Sequence, residues 1–74
     1  MKKSYSDLRD IVAIGGCVIV DAGSYSYSDL RGIAAAGANS GGKLVIKQAN
    51  CKSYSDCKGI AAVNPGNVTF DFSE

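Results

Sequence analysis

Ser26-Tyr27-Ser28-Asp29-Leu30-Arg31-Gly32-Ile33-Ala34-Ala35 is one of three near-copies of a single pattern, the others being residues 4–13 and 53–62. Ser4 and Ser26 are 22 residues apart, and Ser26 and Ser53 are 27 apart. A recurrence at that interval is the mark of stacked supersecondary units. Each copy opens with a serine and carries an aspartate three residues later: Ser4 with Asp7, Ser26 with Asp29, Ser53 with Asp56. A serine oxygen so placed can accept from an amide of the first helical turn, and the acid stands where the helix dipole is positive. A helix is expected to begin at each serine.

Downstream of each serine the apolar residues fall on one helical stripe. In the second copy it comprises Tyr27, Leu30, Ile33, Ala34 and Gly37; in the first, Tyr5, Leu8, Ile11 and Val12; in the third, Tyr54, Cys57, Ile60 and Ala61. Helices of roughly ten residues do not hold alone in water, so each stripe needs a partner. The partner follows a glycine in every copy, as the strand-like runs Cys17–Val20, Leu44–Lys47 and Val68–Phe72, with Gly15, Gly42 and Gly66 at the turns. Aligned by their first residues, the runs put Cys17, Ile19, Leu44, Ile46, Val68 and Phe70 against the helices. Val18, Val20, Val45, Lys47, Thr69 and Asp71 then form the opposite face.

Strands separated by one short helix pair in parallel through right-handed crossovers, which lays the helices along one side of the sheet. The expected architecture is therefore α/β: three tandem helix–strand repeats, at about 4–22, 26–49 and 53–72, forming a three-stranded parallel sheet with helices on one face. The chain of 74 residues is a single domain, since it is too short for a second core.

Leu44-Val45-Ile46-Lys47-Gln48-Ala49-Asn50, followed by a capped helix from Ser53, resembles the Leu-x-Leu strand, polar turn and helix of leucine-rich repeats, and the spacing lies in that family's range. Val18-Ile19-Val20-Asp21-Ala22-Gly23 is a looser version, with Gly23 near the position of the family's turn asparagine and Asn50 there in the second copy. The resemblance implies a short solenoid with a protein-binding surface on the sheet face away from the helices. It implies no chemistry.

Composition narrows the function from the other side. Lys+Arg 8 against Asp+Glu 7 leaves a net charge of +1, so there is no electrostatic basis for nucleic acid or an anionic membrane. No apolar run approaches the ~20 residues that span a bilayer. Met1-Lys2-Lys3 is followed by a polar stretch in place of a signal segment's apolar run, and the three cysteines are an odd number without scaffold spacing. These features point to a cytoplasmic protein with reduced thiols. Cys17 and Cys57 read as small core residues and Cys51 as an exposed thiol in a turn.

Three motifs compete for a chemical role. Gly37-Ala38-Asn39-Ser40-Gly41-Gly42-Lys43 has the spacing of a phosphate loop, but Leu44 stands where magnesium needs a hydroxyl, and the segment runs from helix to strand, the reverse of the order that aims a helix amino terminus at an anion. Asp7, Asp29 and Asp56 are spread along a ladder of helix starts, too far apart to share a proton. With no histidine in the chain, neither a Ser-His site nor a Cys/His metal site can be built, and no cofactor is expected. Tyr25 lies outside the repeat pattern and reads as an exposed loop aromatic, with an interface anchor as its functional alternative.

The sequence thus points to a non-enzymatic protein–protein interaction or self-assembly module, its candidate surface being Val18, Val20, Val45, Lys47, Thr69 and Asp71, with Tyr25. A homo-oligomer or another protein is the expected partner. One alternative is a small regulatory protein that meets a single macromolecule through Tyr25 and the loop 38–42. Another is a ligand binder or enzyme whose site forms only between subunits.

Overall fold

The computed structural model describes residues 4–72. Three helices, α1 (Tyr5–Ala13), α2 (Tyr27–Ala36) and α3 (Tyr54–Ala62), alternate with three strands, β1 (Cys17–Asp21), β2 (Lys43–Lys47) and β3 (Val68–Phe70). All three helices begin in the same way. The hydroxyl oxygens of Ser4, Ser26 and Ser53 accept from the backbone N–H groups of Asp7, Asp29 and Asp56 at 3.2, 3.2 and 3.1 Å, each serine having extended backbone. The capping chemistry legible in the sequence therefore sets all three helix starts.

The strands form one open sheet in the order β1-β2-β3, parallel throughout. Each helix packs against the strand that follows it, and α2 touches both of its neighbours. Val18 and Val20, Leu44 and Ile46 are buried with Leu8, Val12, Leu30, Ile33 and Ile60 in a single core, and Val68 and Phe70 pack against it. The alternate residues Cys17, Ile19, Asp21, Lys43, Lys47 and Thr69 are exposed, so the helices cover one sheet face and leave the other bare.

The register corrects one expectation. Val18 pairs with Leu44 and Leu44 with Val68; Val20 pairs with Ile46 and Ile46 with Phe70. Val18 and Val20 therefore belong to the helix side, and Cys17 and Ile19 to the bare side. Residues 17–20 are apolar on both faces, so period-two alternation cannot choose between them, and a one-residue shift turns every side chain over. A second adjustment concerns the turns. The positive-φ glycines are Gly15, Gly41 and Gly66, with Gly42 one residue later in the second loop. Gly42 has a different duty: a Cβ there would collide with the backbone carbonyl of Val12, so its bareness lets β2 start close beneath α1.

Pairing continues beyond β3. The Asp71 N–H donates to Ile46 O at 2.8 Å, the Ala49 N–H donates to Asp71 O at 2.9 Å, and the Asn50 side-chain amide donates to the carbonyl of Phe72. No described helix is long and apolar enough to cross a membrane.

Candidate interaction surface

The bare sheet face is built from alternate residues of three neighbouring strands. Its middle row is Ile19, Val45 and Thr69, flanked by the paired rows Cys17–Lys43 and Asp21–Lys47. Ile19 is 65% exposed, a large apolar side chain in water, and the half-buried Val45 is its lateral neighbour. Charged residues close the row above and the row below. The surface is thus an apolar centre with an ionic margin.

Of the residues expected on this face, Val45, Lys47 and Thr69 are found there, and Asp71 lies just past the end of β3. Val18 and Val20 do not contribute, and neither does Tyr25, which is buried in the core cluster. Tyr25 is thus neither an exposed loop aromatic nor an interface anchor. It follows the 3-10 turn Ala22–Ser24, and extended backbone at Tyr25 leads into the cap of α2. Cys17, Ile19, Asp21 and Lys43 are the members that sequence reasoning missed. A usable signal existed: Gly15-Gly16 and Gly41-Gly42 both stand immediately before their strands, and aligning those pairs puts Val18 opposite Leu44.

The loop with phosphate-loop spacing is a closed structural corner. Ser40 N–H and Gly41 N–H donate to Gly37 O, Gly42 N–H donates to Ser40 Oγ at 3.2 Å, and Lys43 N–H donates to Gly16 O at 3.1 Å. The Ser40 hydroxyl in turn donates to Val12 O at 2.9 Å. These amides already have acceptors inside the chain, so they form no anion cradle. Ala38 to Gly41 remain exposed.

Behind that corner lies a buried polar residue that the sequence did not single out. Asn64 donates through Nδ2 to Gly42 O at 3.0 Å and accepts through Oδ1 from Asn67 Nδ2 at 3.0 Å. Both ends of its amide are satisfied, which is the condition for keeping such a group in a core.

Cys17 and Cys51 are exposed and Cys57 is buried, all three as free thiols. Cys17 therefore departs from its expected core position, for the same register reason as Ile19. Burial raises the pKa of the Cys57 thiol, with the Asp56 carboxylate adding to the effect. Among the described residues no group of three or more His, Cys, Asp or Glu is placed to hold a metal ion. A groove of about 250 Å³ along α2, lined by Tyr27, Ser28, Arg31, Gly32 and Ala35 with Val63 from the end of α3, brings no set of catalytic groups together. Set against protein-family models, curated proteins and solved structures, the chain finds no match.

Proposed function

We propose that this protein is a non-enzymatic interaction module that associates with a second copy of itself through the bare sheet face, in the manner of a short solenoid similar to leucine-rich repeats. The observation that carries the reading is Ile19, 65% exposed beside Val45 at the centre of an uncovered parallel sheet. Purely parallel sheets are ordinarily covered on both faces, and a facing copy would supply the missing cover. Lys43 and Lys47 beside Asp21 give the face charges of both signs, so an offset contact between two copies can set Asp21 of one against a lysine of the other.

The apolar centre is small. Burying an aliphatic side chain contributes about 1.5–3 kcal/mol when fully covered, and association costs several kcal/mol in lost freedom. The association is accordingly weak, showing itself in the high micromolar range. Three free thiols fit a reducing compartment, which the cytosol provides.

Sedimentation equilibrium tests the reading. The unaltered chain shifts from monomer toward dimer with concentration, and Val45→Asp abolishes the shift while circular dichroism still reports the helices. A monomer at every concentration removes the proposal.

A further inference from the structure

The three helices are joined by one repeated contact. Tyr5 of α1 lies across Gly32 of α2, where a Cβ would run into the tyrosine hydroxyl; Tyr27 of α2 lies across Gly59 of α3, where a Cβ would come within 2.5 Å of it. The tyrosine is the second residue of each copy and the glycine the seventh. Each tyrosine thus uses the glycine of the next copy as its seat, and both seated rings are half-buried against the core.

The two ends of this series differ. Tyr54, the third tyrosine of the series, lies across no glycine among the described residues and is 79% exposed. At the opposite end, the seventh residue of the first copy is Asp10, where the other two have glycine. The following isoleucine reports the same asymmetry: Ile33 and Ile60 are wholly buried, whereas Ile11 is 39% exposed. β3 and β1 are the open edges of the sheet at those same two ends.

We propose that the α3–β3 edge docks one more helix–strand unit, supplied by another polypeptide, whose helix presents a glycine beneath Tyr54. The surface that would receive it continues the α1–α2 and α2–α3 contacts already made within the chain. A second copy joined through α1 does not fit, because Asp10 would put a carboxylate where the tyrosine ring must lie. The edge is therefore directional: it accepts a unit with the glycine and refuses the chain's own first helix. This contact is separate from the sheet-face association and uses none of its residues.

The chain itself supplies the probe. With Val45→Asp in every sample to remove sheet-face association, the variant Asp10→Gly/Tyr54→Ala offers a glycine seat and cannot extend itself. Mixed with chain retaining Asp10 and Tyr54, it forms a 1:1 complex in sedimentation velocity. Replacing Tyr54 by alanine in the acceptor as well weakens that complex at least ~tenfold, the scale of an interface aromatic. Absence of a complex with a probe whose helicity is retained, or an affinity indifferent to Tyr54, overturns the proposal. Should Asp10→Gly unfold α1, the decision passes to a covalent version. The chain extended after Glu74 by a second copy of residues 51–72 melts at a higher temperature than the same extension with aspartate at the copied position of Gly59. Equal melting temperatures overturn the proposal.

Discussion

Asn64 and Gly42 are joined by a buried hydrogen bond of 3.0 Å, side-chain amide to backbone carbonyl, which ties the turn after α3 to the residue leading into β2. The bond joins two different helix–strand units across a separation of 22 residues. Replacing Asn64 by alanine leaves the Gly42 carbonyl and the Asn67 amide without this partner in a site that water does not easily reach. The expected loss is about 1–3 kcal/mol in urea unfolding. Asn67→Ala, at a half-buried position, costs less. Equal losses for the two variants would show that burial does not set the energy here.

The sheet register is tested by a pair of neighbours. Val18 is buried and Ile19 is exposed, although the two are adjacent and equally apolar. Ile19→Asp is expected to change stability by less than about 1 kcal/mol, as an exposed substitution does. Val18→Asp places a carboxylate in the core and is expected to cost more than about 3 kcal/mol or to prevent folding. Thermal melts of the two proteins decide the matter, and the reverse ranking would mean that β1 is turned over.

The seat beneath Tyr27 makes a substitution change sign with its surroundings. In an otherwise unaltered chain, Gly59→Ala gains about 0.5–1 kcal/mol of helix propensity but displaces the Tyr27 ring, and overpacking of that kind costs about 1–3 kcal/mol. The net expectation is destabilisation. In a Tyr27→Ala background the ring is gone, and Gly59→Ala becomes stabilising. A double-mutant cycle by chemical denaturation measures the reversal.

The serine caps carry comparable weight individually. Ser4→Ala, Ser26→Ala and Ser53→Ala each remove one acceptor for a first-turn amide and are expected to cost about 0.5–2 kcal/mol, measured as shifts in denaturation midpoint. Aspartate at the same positions recovers most of the loss, because it supplies the same acceptor and adds charge at the helix start.

The thiols separate by burial. Cys17 and Cys51 react promptly with a thiol reagent in the folded protein, and Cys57 reacts only as the chain opens. Burial raises the Cys57 pKa, so the folded state holds this proton more tightly than the unfolded one does. Its contribution to stability is complete below the unfolded thiol pKa of about 8.5 and is lost as pH rises through the higher folded value. Cys57→Ala flattens that alkaline decline. A decline of unchanged steepness would assign it to other groups.

The local features could be read from residue order, because their causes act within a few positions along the chain. Three serine caps, three helices with an apolar stripe, three strand runs and parallel pairing across short crossovers all follow from spacing and residue type, and the structure contains each. Val45, Lys47 and Thr69 were placed on the bare face because their strands alternate clearly enough, or start at the right residue, to show a side. Contacts between repeats settled everything else. β1 is apolar on both faces, so its side depended on pairing Val18 with Leu44, which moved Val18 and Val20 inward and Ile19 outward. Tyr25 became a core residue, Asn64 acquired Gly42, 22 residues away, as a partner and Tyr54 was left exposed only when the helix–strand units came together. A side chain's neighbours within one turn are dictated by covalent geometry, whereas its neighbours across a sheet or between helices exist only once the whole chain has packed.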